Sequence, residues 1–313
     1  MSVRILTAQQ PGPVLVDVQL LGAGGTVTVR TDASRKGAEI IIRTADESGA
    51  SADAVRDAEL RWDARGALVA HVQGTGGISG GTTVVSSAGG TFIAGHNFGV
   101  VQHVQDNVGS IVMVSGGDLN LGGGRYQFHG AGTVHMVQGA SPIEISAVVP
   151  EGCSVTARTQ SANVITEGTF TAVSAATQSG DVRLPGQSER FTANTQSGDI
   201  DVQTSPNIIA KTQSGDIRLG RTDVTEASTM SGDIHLRDFG GTAQLNSMSG
   251  DIRVHASAGG DLTAKTMSGD VTVTATDSAV DDDLDVRAHS MTGDVRIPRR
   301  RQPHADGPRR RRS

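Results

Sequence analysis

Polar and apolar positions between residues 159 and 297 alternate with period two, then change phase at regular intervals. In one stretch Leu262, Ala264, Thr266 and Ser268 share one parity, while Val271 and Val273 share the other. Period-two alternation predicts strand rather than helix. The phase change at Gly269-Asp270 predicts a corner that turns the chain and keeps both apolar sets facing one interior. Glycine supplies the unusual backbone angle, and an aspartate can hydrogen-bond the amides of its own turn.

The block recurs eight times. Thr159-Gln160-Ser161-Ala162-Asn163 opens the series, with Ala and Asn where the others carry Gly and Asp. Seven full corners follow: Gly180-Asp181, Gly198-Asp199, Gly215-Asp216, Gly232-Asp233, Gly250-Asp251, Gly269-Asp270 and Gly293-Asp294. Successive copies start 18, 18, 17, 17, 18, 19 and 24 residues apart. Two strands and two corners fit this length, with no room for a helix. The expected fold is all-β: a parallel β-solenoid (β-helix) with about 17–19 residues per rung, its rungs stacked about 4.8 Å apart.

Stacking places the aspartates in a column, where neighbours repel by roughly 1 kcal/mol per pair in water. Two positions after most of them, on the same face, stand Arg183, Arg218, His235, Arg253 and Arg296. An arginine column beside the acidic one offsets much of that repulsion, so the carboxylates are expected as structural turn residues and not as a calcium array.

Four segments are expected. Residues 1–72 read as a smaller antiparallel β region, with strands around a Gly22-Ala23-Gly24-Gly25 hairpin turn, a second hairpin at Asp63–Gly66 and a helical turn at Ser51–Val55. Residues 73–150 read as Gly-rich short strands or irregular rungs. Residues 151–297 form the regular solenoid, with an atypical terminal rung at Ala162-Asn163. Residues 298–313 form a disordered tail.

Composition sharpens this outline. Aromatics are 3% of the chain and glycine is 41 of 313 residues. A thin layered core tolerates such filling better than a large globular one does. Cys153 is the single cysteine, which excludes an intramolecular disulfide. The start shows no apolar signal segment, and a cytoplasmic location is expected. The formal charge of −6 is polarised, because the tail carries Arg299, Arg300, Arg301, Arg309, Arg310, Arg311 and Arg312 against Asp306.

The stretch Ile143–Gly152, followed by the Ser-Gly-Asp-[Ile/Val] repeats, resembles a bacterial family of adhesin-type β-strand-repeat proteins of unknown function. The resemblance runs over roughly Pro13–Arg296. It implies a β-helix-like fold and, because some members are exported or lie beside envelope-stress genes, a membrane-associated or adhesive role. It transfers no catalytic residue.

Candidate chemistry is sparse. The acidic loop Asp277, Asp281, Asp282, Asp283 and Asp285 is the better metal candidate, read otherwise as a solvated loop. Tyr126, Phe128, His129 and His135 form the one aromatic and histidine cluster, read as core or cap. Glycan cleavage on a β-helix needs a carboxylate constellation that breaks the pattern, whereas these aspartates are periodic. No cofactor is expected. The arginine tail suits an anionic membrane surface or an acidic partner better than nucleic acid, since no aromatics interleave with it. The expected function is a non-enzymatic cytoplasmic scaffold that binds a protein partner or self-assembles. The alternatives are an envelope-associated adhesin-like binder of glycan or protein, and a carbohydrate-active β-helix enzyme.

Overall fold

In the computed structural model, residues 1–64, 66–74 and 141–298 are described with their side chains, together with the backbone of four strands between residues 82 and 137. The chain divides into two units, Met1–Gln187 with Ala193–Gly198, and Ser188–Thr192 with Asp199 onward.

The first unit begins with β1 (Ser2–Thr7), β2 (Leu15–Leu21), β3 (Gly25–Thr31), β4 (Glu39–Thr44), helix α1 (Ala50–Asp57), β5 (Glu59–Trp62) and β6 (Ala67–Gln73). The strands β7 (Thr82–Ser87), β8 (Gly90–Ala94), β9 (Ser110–Leu121) and β10 (Gly124–Val137) form a separate antiparallel sheet in the order β8-β7-β10-β9. Next come β11 (Ile143–Val149), β12 (Cys153–Thr159), β13 (Asn163–Glu167), β14 (Thr169–Ala176) and β15 (Val182–Asn194), the last running into the second unit.

The strand pairing corrects the expected boundary at residue 72. β2 runs parallel to β12 on one edge and to β6 on the other. β3 likewise lies parallel between β13 and β11. β2 and β3 are therefore the two walls of a solenoid rung, and Gly22–Gly25 is its corner, not a hairpin turn. The two features share a composition: both interrupt strands of alternating parity with glycine. Val16, Val18, Leu20, Val27 and Val29 are all buried, as two inward-facing walls require.

β12 and β13 stack on that rung, and β14 and β15 follow on them. The copy with Ala162 and Asn163 is thus an interior rung and not the terminal one. β6 and β11 form a further rung, and the four strands of the separate sheet come between them in the sequence. The chain on either side of those four strands is pinned to the neighbouring corner: the Gly74 amide donates to the Leu21 carbonyl at 2.7 Å, and the Ile143 amide to that of Gly24 at 3.0 Å.

Within the solenoid sheet, among the described residues, antiparallel pairing is confined to the β1, β4, β5, β6 and β11 strands. β4 lies against β11 and β1 against β4, while β5 folds back on β6 through the Asp63–Gly66 turn. Together with α1, which buries Ala52, Ala54 and Val55, these strands occupy edges that would otherwise present unpaired backbone.

The second unit contains β16 (Ile200–Thr204), β17 (Asn207–Lys211), β18 (Ile217–Ser231), β19 (Ile234–Ser249), β20 (Ile252–Ser268), β21 (Val271–Ala275), helix α2 (Asp277–Asp281), β22 (Leu284–Thr292) and β23 (Val295–Arg296). The pairings of β18 with β16, β17 and β19, and of β20 with β19, β21 and β22, are all parallel. Like stacks on like: Ile217, Ile234, Ile252 and Val271 form one column, and Leu219, Leu236, Val254 and Val273 its neighbour. Both columns are buried. Ser268, expected inside, faces out as the last residue of its strand before the bend at Gly269. α2 accounts for the long last repeat, with Thr276 capping it by accepting from the Ala279 amide at 3.1 Å.

Aromatic filling is rare, so each buried ring matters. Phe239 has no exposed surface. It sits where the register shifts between β18, β19 and β20, at the rung's second corner. Phe239→Ala should lower stability by about 3–5 kcal/mol, read as a lowered urea midpoint. Val224→Ala, at a half-exposed position, should stay within about 0.5 kcal/mol of the parent.

Candidate functional site

The repeated corner carries most of the charged residues singled out by the sequence, and its construction begins with glycine. A Cβ on Gly180 would lie 2.0 Å from the Ala162 carbonyl oxygen, and one on Gly198 2.0 Å from that of Gly180. In the second unit the corresponding distances are 2.1 Å for Gly232 onto Gly215, 2.1 Å for Gly250 onto Gly232, 2.3 Å for Gly269 onto Gly250 and 2.1 Å for Gly293 onto Gly269. Each of these six glycines lies against the backbone of the corner before it, which leaves no space for a side chain. At Gly250, Gly269 and Gly293 φ is also positive, at 153°, 144° and 154°.

Aspartate follows because its carboxylate bridges rungs. In the first unit the Asp181 amide donates to Oδ1 of Asn163 at 2.9 Å. In the second unit Asp216 donates to Asp199 at 2.9 Å, Asp233 to Asp216 at 3.0 Å, Asp251 to Asp233 at 2.8 Å, Asp270 to Asp251 at 2.8 Å and Asp294 to Asp270 at 2.9 Å. One carboxylate oxygen of Asp199, Asp216, Asp233, Asp251 and Asp270 thus accepts the next corner's amide. The other oxygen faces arginine in Asp199, Asp216, Asp233 and Asp251. Arg218 reaches Asp216 at 2.7 Å and Asp199 at 3.0 Å, and Arg253 reaches Asp251 at 2.6 Å and Asp233 at 3.2 Å. Arg183 pairs with Asp181 and Arg296 with Asp294. Hydrogen bonding to Asp199 raises the pKa of Arg218 above its ordinary value, against a smaller opposing effect of burial.

Two hydroxyl settings recur besides that of Thr159, which donates to the Ala162 carbonyl of its own corner at 2.7 Å. At Thr177 and Thr195 the hydroxyl accepts from the amide of its own corner glycine, at 2.9 and 3.0 Å. At Thr229, Ser247, Thr266 and Ser290 the hydroxyl instead donates to the glycine carbonyl of the preceding corner, at 2.8–3.3 Å. Gln follows the first pair of hydroxyl residues and Met follows the second group.

The remaining candidates are dispersed. Asp277 and Asp281 bound α2, Asp283 takes a φ of +57°, and Asp285 pairs with Arg287 at 2.8 Å. Among the described residues, no group of three or more His, Cys, Asp or Glu side chains is placed to hold a metal ion. Cys153 is buried. Its sulfur accepts from the Val14 amide at 3.2 Å, and burial pushes the thiol pKa up. Arg299–Arg301, Arg309–Arg312 and the side chains of Tyr126, Phe128, His129 and His135 lie outside the described residues.

One cluster was not foreseen. His71 on β6 reaches Asp17 of β2 at 3.3 Å and Glu59 of β5 at 3.5 Å, and Arg158 of β12 approaches Asp17 at 3.8 Å. Glu59 is also held by Arg61 at 2.6 Å, and that hydrogen bond lowers its pKa. The cluster ties four strands together across their outer face. No spacing in the sequence signals it, because its members come from strands whose pairing skips along the chain.

Comparison with known proteins places this construction. The Toastrack DUF4097 family model matches residues 101–312. No curated protein matches the chain. Solved structures that resemble it include a candidate lipid binding protein from Parabacteroides distasonis ATCC 8503 (10% identity, 95% of this chain and 97% of that one, TM-score 0.46). Two candidate adhesins also resemble it. One is from Parabacteroides merdae ATCC 43184 (9%, 95% and 97%, TM-score 0.40), and the other from Bacteroides fragilis NCTC 9343 (10%, 95% and 97%, TM-score 0.36). The chain belongs to the Toastrack DUF4097 family.

The bridging role can be tested at Asp233. Asp233→Ala should cost on the order of 1 kcal/mol, since it removes an acceptor of a corner amide at a partly solvated site. Asp233→Asn should cost less, because it keeps the acceptor as Asn163 does, and its remaining deficit should vanish in high salt. Gly250→Ala should cost about 3 kcal/mol or more, combining a steric clash with a disfavoured backbone angle. Urea unfolding at low and high salt measures all three.

Proposed function

We propose that this Toastrack DUF4097 protein is a non-catalytic binding module, a solenoid scaffold that engages a protein partner or another copy of itself. The carrying observation is where the acids are spent. In the corner column the aspartate carboxylates bridge corner amides and arginines in a repeating way, as structural parts of each turn. Acid–base or nucleophilic chemistry would instead require carboxylates that converge off the repeat on one reacting atom. The off-repeat pair, Asp17 and Glu59, is held by His71 and arginines on the outer face of the strands.

The last rung supplies a route to association. Among the described residues β22 pairs with β20, and β23 with β21, each along one edge. Val295 and Ile297, where the apolar columns end, are 41% and 50% exposed. An open edge of this kind accepts an added strand. The proline that follows Ile297 in the sequence opposes that addition by lacking an amide donor, and the arginines after it oppose it by charge. The family resemblance favours an envelope-associated form of the same reading, with a glycan or protein as partner. The cytoplasmic scaffold differs from it in compartment and partner, and localisation of the native protein separates the two.

Light scattering after size exclusion, on the full chain and on a version ending at Ile297, tests self-association. The shortened protein should show a mass that rises with concentration, and the full chain should associate less. Two monomers at every concentration would defeat self-assembly and leave partner binding.

A further inference from the structure

The second position of the repeat holds Gln160, Gln178, Gln196 and Gln213 in the first four copies, then Met230, Met248, Met267 and Met291 in the last four. The methionines lie in register on neighbouring strands. Thr229 and Ser231 pair with Ser247 and Ser249, which bracket Met230 against Met248. Ser247 and Ser249 pair with Thr266 and Ser268, and these with Ser290 and Thr292, which continues the column through Met267 to Met291. All four point outward, with 46–67% of their surface exposed, while the hydroxyl residues preceding Met230, Met248 and Met267 are buried.

The core does not call for these side chains. Glutamine occupies the same position elsewhere in the repeat, so an apolar group is not required there. If apolarity alone were wanted, leucine or valine would serve, yet all four positions carry sulfur. A thioether is a soft, neutral donor with no proton to lose, on a side chain with three rotatable bonds. Soft thioethers select copper(I) over harder cations. The spacing suits one ion shared between rungs. In-register strands lie about 4.8 Å apart, and three rotatable bonds in each side chain let two neighbouring sulfurs close to the roughly 4.6 Å that one ion spans at a metal–sulfur bond of about 2.3 Å, the zinc–thiolate length. His289 stands two residues before Met291 on the same exposed face of β22, within the same end of the column. Lys265, paired with His289 across the strands, biases the neutral donor set further against divalent ions.

We propose that Met230, Met248, Met267 and Met291 form a thioether ladder that binds a soft monovalent cation of the copper(I) class, with His289 as a nitrogen donor at the Met267–Met291 end. The site is independent of the scaffold reading, since it needs no macromolecular partner.

Silver(I) is the probe, because it shares the soft monovalent chemistry without redox cycling. Silver nitrate is titrated into the full-length chain in chloride-free, thiol-free buffer. Binding is followed by calorimetry and by NMR of 13C-labelled methionine methyl groups. Saturable binding should move the methyl signals of the four column residues and leave Met1, Met113 and Met136 in place. Replacing all four by leucine keeps an apolar column without sulfur and should weaken binding by an order of magnitude or more. A Met→Gln set, matching the first four copies, should do the same and guards against a folding defect in the leucine set. Cys153 is present in every variant, so the difference between them isolates the thioethers. His289→Ala should give a smaller loss with the methyl shifts retained, and unchanged affinity would remove the histidine from the site. A leucine variant that binds silver(I) as wild type does, or column methyl signals that stay put, overturns the proposal.

Discussion

At six of the repeated corners the carbonyl of the preceding rung lies where a side chain would otherwise begin. A Cβ there would approach it to about 2 Å, as at Gly198 and Gly232, which no rotamer change can relieve. Every other feature of the repeat follows from this contact. Glycine becomes obligatory, the corners stack without a gap, and the next residue's amide is carried past the preceding corner's side chain. Aspartate or asparagine at that place can accept the amide, and the chain uses both, Asn163 once and aspartate thereafter. A buried or half-buried amide left unpaired is costly, so the side chain completes what the close stacking imposes.

That solution carries an electrostatic penalty, and the arginines answer it locally. Arg218 and Arg253 each clamp two successive aspartates. The groups are about a third or more exposed, so each pair contributes little alone. Their value lies in repetition: Asp199 and Asp216 share one arginine, and Asp233 and Asp251 share another. The same accounting explains why a row of aspartates in a solenoid need not signal calcium.

The regular part of the fold was legible because its signal is redundant. Eight corners at near-constant spacing fix the strand parity, the corner residue and the parallel stacking together, and Val271 and Val273 are buried as the parity switch requires. The N-terminal strands were not legible in the same way. β2 and β3 belong to the solenoid, but they enter it between rungs contributed by residues up to about 140 positions later, as in the pairing of Leu15 with Ser154. A single corner cannot announce a repeat, and Gly22–Gly25 looks like a hairpin turn because tight reversals and solenoid corners both require glycine. The cluster of Asp17, Glu59 and His71 was hidden for the same reason, since its proximity exists only once that insertion is known.

A repeat also acts as its own control. Positions that geometry dictates cannot vary, and glycine and aspartate hold through seven successive corners. Positions that geometry leaves free can vary singly or as a block. The second position changes as a block, from glutamine to methionine; Thr177 and Thr195, which precede glutamines, accept their own glycine amide, whereas the hydroxyls that precede the methionines donate to the preceding glycine carbonyl. Hydroxyl chemistry alone does not account for methionine, because the thioethers remain on the outer face where glutamine stood before. Within a fold whose acids are already committed to holding the corners, the unforced change on the surface is where a function distinct from stability is to be sought.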